Sequence, residues 1–203
     1  MKRAVLSALF LGLLGAAAAV PASADSTLYT NGAPNYTNDA WTINDGFSTT
    51  DSFTLSVNST VTGFTFDVWL NSGDTLSSVD WSIGGTPYGG TPATATTSST
   101  FIETNGFPLD VYAVTVTGLN DSLAAGSYYL TFQNAVVSIP LDGAYWEEND
   151  GPSLAQNSEA GAIGSETFTI QGISTATPEP SSFLLLGSGL AGLAAMLRRK
   201  IRA

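Results

Sequence analysis

Two adjacent glutamates, Glu147 and Glu148, follow Trp146 and come closest to the residue types of a catalytic site. A glycosidase needs one carboxylic acid and one carboxylate, about 5–10 Å apart, flanking the bond to be cut. Neighbouring residues of a strand point to opposite faces, so this pair is not expected to converge on one substrate. Three other glutamates are candidate partners, and their spacing selects none of them: Glu103, Glu159 and Glu166. We therefore predict that the protein is not an enzyme, and a secreted glycan-active enzyme ranks third among the hypotheses.

The same stretch carries a dense set of side-chain oxygens, which suggests calcium. Ca²⁺ takes about six to eight oxygen ligands, and the candidate ligands are Asp142, Glu147, Glu148 and Asp150. Their spacing does not follow the D-x-[DN]-x-[DN]-G order of an EF-hand loop. A solvated acidic surface is the default interpretation of these residues, and a calcium site is the alternative. No other cofactor is predicted.

Three aromatic residues in polar surroundings are candidates for binding a glycan: Trp69, Tyr129 and Trp146. Trp69 alternates with Thr65 and Asp67, away from the apolar positions of its segment, and Trp146 lies in an acidic stretch. Aromatic faces combined with polar side chains suit a sugar and need no cation. The alternative is that the rings pack inside the protein while their polar tips reach solvent. Trp81, between Val79 and Ile83, is predicted to lie in the core.

The charge distribution excludes several other classes of function. All six basic residues lie at the two ends of the chain, whereas residues 25–177 hold sixteen Asp or Glu and no Lys or Arg, a net charge near −16. A body without cations cannot neutralise a phosphate backbone, so nucleic-acid binding is excluded. The chain contains no Cys and no His. It therefore has no disulfide, no thiol nucleophile and no Ser-His dyad.

The elements that must position these side chains are strands. Apolar residues recur at every second position, as in Thr60–Leu70, where Phe64, Phe66, Val68 and Leu70 share one face. Turn residues rich in Asn, Gly and Asp separate such segments, for example in Asn105-Gly106-Phe107-Pro108. No segment of the body has a helical period. Short strands at this spacing predict an all-β fold, an antiparallel β-sandwich of general jelly-roll or Ig-like architecture.

The predicted sandwich covers residues 25–171, with residues 153–166 as a polar connection and residues 172–177 as a linker. Residues 1–24 are typical of a secretory signal peptide with its signal helix. Lys2 and Arg3 precede an apolar run, and Ala22 and Ala24 form the small-residue cleavage pattern. We expect signal peptidase to remove this segment.

The C-terminal segment, residues 178–203, has three parts in a fixed order. Pro178, Glu179 and Pro180 precede an apolar helix at 183–197, and the chain then ends in a basic group: Arg198, Arg199, Lys200 and Arg202. Fifteen residues rise about 22 Å as a helix, which is a marginal span for a bilayer core of about 30 Å. The basic group would stay in the cytoplasm and leave residues 25–177 outside. A permanent single-pass anchor is the simplest interpretation of this pattern.

These three parts closely resemble the PEP-CTERM sorting signal of Gram-negative bacteria, a tail that some schemes call an ice-binding protein C-terminal domain. The resemblance covers about 26 of 203 residues, and Thr177 stands where many members carry Val. It implies recognition by an exosortase, with processing near the motif followed by release or transfer to the surface. The body is also similar to a module of other PEP-CTERM proteins, for example at Val79–Gly84 and Tyr145–Pro152. That similarity supports the fold and the compartment and implies no chemistry.

Together these patterns predict an exported, acidic, non-catalytic protein of the cell surface or extracellular matrix. Its precursor would be a single-pass protein of the inner membrane, and the processed form would reach the outer membrane, the cell surface or the medium. The predicted partners are an exosortase, signal peptidase and the membrane, with extracellular polysaccharide as a further candidate. A carbohydrate-binding β-sandwich module is the alternative function.

Overall fold

The computed structural model describes residues 25–36, 39–174 and 180–202, and it contains two antiparallel sheets followed by one helix. The first sheet has eight strands within these ranges: β1 (Ser26–Thr30), β2 (Ala40–Thr42), β4 (Ser59–Asn71), β7 (Ser98–Thr104), β8 (Leu109–Leu123), β10 (Ala144–Asn149), β13 (Ser165–Glu166) and β14 (Phe168–Ser174). The second has six: β3 (Ser48–Leu55), β5 (Leu76–Gly84), β6 (Ala93–Thr96), β9 (Gly126–Val137), β11 (Ala155–Asn157) and β12 (Gly161–Ile163). The helix is α1 (Pro180–Arg202).

The long strand β4 organises the first sheet. One edge pairs with β8 along its whole length, from Ser59 opposite Leu123 to Asn71 opposite Leu109. The other edge pairs first with β14 and then with β10, which aligns Trp69 with Tyr145. Strands β2 and β13 extend β10, and β7 forms a hairpin with β8. In the second sheet the strand order is β12-β11-β3-β9-β5-β6.

The core lies between the two sheets and is rich in aromatic rings. Phe66 of β4 and Phe132 of β9 have ring centroids 4.3 Å apart across the interface, and Trp146 of β10 lies 4.5 Å from Phe132. The predicted inward face of β4 is confirmed, since Phe64, Phe66, Val68 and Leu70 all belong to this core. Trp81 also belongs to it, as predicted.

The structure confirms the all-β, antiparallel prediction at the level of two sheets; the jelly-roll or Ig-like type remains a prediction. Residues 153–166 were predicted to be a polar connection, which is wrong, because β11, β12 and β13 lie there. Their short runs of polar residues give no alternation to detect. Strand β14 continues to Ser174, so the first half of the predicted linker 172–177 is paired strand.

Several terminal predictions lie outside the described residues. They concern the signal peptide 1–24 with Ala22 and Ala24, the motif residues Pro178 and Glu179, and the side chains of Pro180, Arg199, Lys200 and Arg202. The helix predicted at 183–197 lies within α1, and Arg198 is exposed near its end. In the described part of the chain, no helix combines the length and the apolar character needed to cross a membrane.

Candidate functional site

The outer face of the first sheet carries an aromatic and acidic group that we call the outer site: Asp67, Trp69, Phe107, Tyr145 and Glu147. Alternation along β4 and β10 places four of these residues away from the core. Tyr145 pairs directly with Trp69. Glu147 lies two residues further along β10 and therefore on the same face as Tyr145. Phe107 arrives separately, at the tip of the β7–β8 hairpin.

Glu147 is fully buried, and each of its carboxylate oxygens accepts a hydrogen bond. The indole N–H of Trp69 donates to Oε2, and the backbone N–H of Tyr36 donates to Oε1 over 2.6 Å. Tyr36 has a φ of 58°, in the left-handed region, and this conformation belongs to the loop that covers Glu147. Burial raises the pKa of Glu147, although these donors act in the opposite direction. The carboxylate thus ties the loop before β2 to the aromatic ring on β4.

Asp67 lies next to Glu147 and is only 7% exposed. Burial, and secondarily the charge of Glu147, raise the pKa of Asp67 to about 7. Burial also raises the pKa of Tyr36 to about 12, with the charges of Asp67 and then Glu147 contributing. Two carboxyl groups in one buried place repel each other when both are ionised. Both carboxyl groups lie beneath the surface.

A surface depression of about 190 Å³ lies beside Trp69 and Tyr145 of the outer site. Its lining is Asp39, Ala40, Trp69, Phe107, Leu109 and Tyr145. Phe107 is 54% exposed, and its ring stacks on Trp69 with centroids 5.5 Å apart and planes inclined by 27°. The depression therefore presents aromatic surface beside the exposed carboxylate of Asp39.

Two local features hold the aromatic rings of this depression in place. The Asn105 side-chain oxygen accepts hydrogen bonds from the backbone N–H groups of Phe107 (2.9 Å) and Leu109 (3.1 Å), which closes the hairpin tip. Gly143 lies against the Tyr145 ring, and a Cβ there would clash with the phenol oxygen. The absence of a side chain at Gly143 thus allows Tyr145 to lie back along β10.

The three predicted glycan-binding aromatics do not share a surface. Trp69 belongs to the outer site but is 3% exposed, beneath Phe107. Trp146 is fully buried in the core and donates its indole N–H to the Thr167 carbonyl over 2.8 Å, so its assignment to an exposed platform is wrong. Tyr129, half-buried on β9, belongs to the other sheet. The polar residues next to Trp146 in the sequence were misleading, because the residues that surround its ring in the core come from other strands.

The predicted calcium ligands are also separated. Asp142 and Asp150 flank β10 at opposite ends, and Glu147 and Glu148 point to opposite faces of it. Glu148 accepts a hydrogen bond from the Trp41 indole over 2.8 Å, on the side away from Trp69. Within the described ranges, no three acidic side chains are grouped so that they could hold a metal ion. The predicted cluster of Asp142, Glu147, Glu148 and Asp150 is therefore not assembled.

Sequence reasoning missed Phe107, Tyr145 and Asp67 as members of the outer site. The available signal for Phe107 was an aromatic residue at the tip of a predicted turn, where burial is not expected. Alternation along β4 already places Asp67 on the same face as Trp69, whereas the proximity of Tyr145 to Trp69, and of Asp67 to Glu147, depends on how β4 and β10 pair.

Comparison with known proteins identifies one feature of the chain. The PEP-CTERM protein-sorting motif matches residues 176–200, which confirms the resemblance noted for the C-terminal segment. No curated protein matches the chain. The motif implies export, processing by an exosortase and sorting to the cell surface.

Proposed function

We propose that this protein is an exported, non-catalytic component of the cell surface or extracellular matrix, delivered by an exosortase. The observation that carries this proposal is the sorting motif at residues 176–200. Signal peptidase would remove residues 1–24, and the C-terminal helix with its basic end would engage the inner membrane until processing. The body then reaches the surface as a domain of two sheets that carries no Lys or Arg between residues 25 and 177.

The outer site supports glycan binding as the activity of the exported body. Phe107 and Tyr145 offer ring surface in one depression, Trp69 packs beneath Phe107, and Asp39 offers hydrogen-bond acceptors at the edge. Aromatic rings with a few polar groups are a common lining of small-molecule sites. A body near −16 repels anionic polymers, so we assign a neutral polysaccharide as the ligand class.

The buried state of the two carboxyl groups supports a binding role rather than catalysis. Glu147 uses both oxygens to hold Trp69 and the loop at Tyr36, and Asp67 is nearly inaccessible. A glycosidase must present its acid and its base to the sugar on either side of the bond. Release of reducing sugar that is abolished by Glu147→Gln would overturn this part of the proposal.

The sorting route is tested by replacing Pro178, Glu179 and Pro180 with alanine. We expect the variant to accumulate as unprocessed precursor, whereas Ser174→Ala, just before the matched segment, should be processed normally. Unchanged processing and release of the alanine variant would contradict the assignment to an exosortase.

Glycan binding is tested with a matched pair of phenylalanines. Phe107 and Phe101 are 54% and 53% exposed, but only Phe107 lines the depression. We expect retardation of the protein in gels containing neutral polysaccharides, lost in Phe107→Ala and retained in Phe101→Ala. Equal loss in both variants would refute the site, and absence of binding to every polysaccharide would leave only the structural role.

A further inference from the structure

The chain enters and leaves the body at the same end of the first sheet. Ser26 of β1 pairs with Gly172 of β14, and Ser174, the last residue of β14, pairs with Ser59 at the start of β4. The Ser26 hydroxyl also donates a hydrogen bond to the Gly172 carbonyl over 3.2 Å. The residues that follow the predicted signal peptide and those that precede the sorting motif are therefore neighbours.

Two exposed connections complete this end of the body, which we call the base. Residues 56–58 connect β3 to β4, and residues 124–125 connect β8 to β9. A hydrogen bond joins the two connections, because the Asn58 side-chain oxygen accepts from the Ala125 N–H over 2.9 Å. The base thus consists of Ser26, the two connections and Ser174.

The depression of the outer site lies at the opposite end of the same sheet. Strand β4 runs from Ser59 at the base to Asn71, and Trp69 is two residues from the far end. A strand rises about 3.3 Å per residue, so Trp69 lies roughly 30 Å from Ser59. A surface that contacts the base therefore leaves the depression open.

The base carries less charge than the rest of the body. Residues 52–66 and 122–141, which include both connections, contain no Asp or Glu. The acidic residues nearest to the base along the paired strands are Asp25 and Asp121. Val57, which is 39% exposed, adds an apolar side chain. An anionic surface therefore repels the base less than it repels the far end of the body.

The chain between the body and the helix is short. Five residues, 175–179, separate Ser174 from Pro180, where α1 begins. Six residue steps of at most about 3.6 Å each span no more than about 22 Å. A membrane that holds α1 therefore lies within this distance of the base.

We propose that the base faces the phospholipid membrane while the protein is an unprocessed precursor, and that the outer site points away from the membrane. This inference rests on the engagement of α1 with the membrane in the proposed function. The short connection keeps the base close to the lipid, and the acidic far end is repelled by anionic headgroups. The depression is then open to an extracellular polymer before an exosortase acts.

The test uses the absence of Cys from the chain, because a single thiol can then be placed at either end of the body. Ser56→Cys and Ser72→Cys are a matched pair, since both serines are exposed in connections that flank β4. Precursor from cells without an exosortase is reconstituted in vesicles of phosphatidylethanolamine and phosphatidylglycerol. The labelling rate with a bulky polyethylene glycol maleimide is divided by the rate with N-ethylmaleimide, which corrects for the reactivity of each thiol.

We expect this ratio to be several-fold lower for Ser56→Cys than for Ser72→Cys in the vesicles. Val57→Cys is a second probe of the base and should behave like Ser56→Cys. In the processed, released protein the ratios at the two ends should be equal, because no lipid then covers the base.

Two outcomes separate this inference from the function on which it rests. Equal ratios in the vesicles, or a lower ratio for Ser72→Cys, would overturn the orientation while the precursor still floats with the vesicles in a density gradient. A precursor that does not float would refute the membrane engagement itself and the orientation with it. Both readouts are independent of glycan binding.

Discussion

Replacing Asp67 by asparagine should change how the stability of the protein depends on pH. Asp67 is nearly inaccessible next to Glu147, and its pKa is about 7 against an ordinary 3.8. Between about pH 4 and pH 7 the folded state holds a proton that the unfolded state has lost. The free energy of unfolding therefore falls as pH rises through this window, and the loss is complete above pH 7.

The magnitude follows from the shift. A difference of about three pKa units at 1.36 kcal/mol each gives roughly 4 kcal/mol as an upper limit. Local relaxation reduces this value, so we expect about 2–3 kcal/mol. Asp67→Asn has no proton to lose, so its advantage over the wild type should be near zero below pH 4 and should reach the full value above pH 7. Removing this charge also eases ionisation of Glu147, which acts in the same direction.

The assay is urea unfolding of the full-length protein at several pH values from 4 to 8, followed by tryptophan fluorescence in about 0.15 M salt. Asp80→Asn is the matched control, because hydrogen bonds from Thr94 and then Asn134 lower the pKa of Asp80. Neutralising Asp80 should therefore cost stability above about pH 4. A difference between Asp67→Asn and wild type that stays constant from pH 4 to pH 8, or that follows the control, would refute the reasoning.

Two further substitutions test the packing around the outer site and the core. Gly143→Ala should displace the Tyr145 ring and weaken glycan binding. Gly106→Ala is the control and should leave binding unchanged, because a Cβ at Gly106 would meet nothing within 4 Å. Equal effects of the two substitutions on retardation in glycan gels would contradict the role of Gly143. Trp146→Ala should destabilise the protein by about 3–5 kcal/mol in urea unfolding, because it leaves a cavity beside Phe132 and an unpaired Thr167 carbonyl. Trp41→Ala, at a half-buried position of a three-residue strand, should lower the free energy of unfolding by less. If Trp146→Ala lowered it by no more than Trp41→Ala, the Trp146 ring would have to lie outside the core.

Much of the fold could be predicted because period-two alternation is a local property. Phe64, Phe66 and Val68 identify the inward face of β4 without knowledge of any partner strand. The same rule correctly separated Glu147 from Glu148. The prediction failed for Trp146. Its polar strand neighbours, Tyr145 and Glu147, are themselves sheltered on the outer face, so their polarity did not indicate that this part of the strand is exposed.

The functional groups were harder to predict because each depends on contacts distant in the chain. Trp69 meets Glu147 across 78 positions, and Asp51 meets Glu166 across 115. Nothing local at Asp51 distinguishes a buried carboxylate from a solvated one. Its burial follows from the position of β3 opposite β13, the strand that carries Glu166.

The sequence by itself determined the sorting signal of the protein and the net charge of residues 25–177. The sorting segment is a contiguous pattern, and sixteen acidic residues without a cation between residues 25 and 177 are a matter of composition. The tertiary structure decided which aromatic residues share a surface and which carboxylates are enclosed. Strand pairing and the stacking of two sheets bring together residues that have no relation along the chain, and burial then determines how their charges behave.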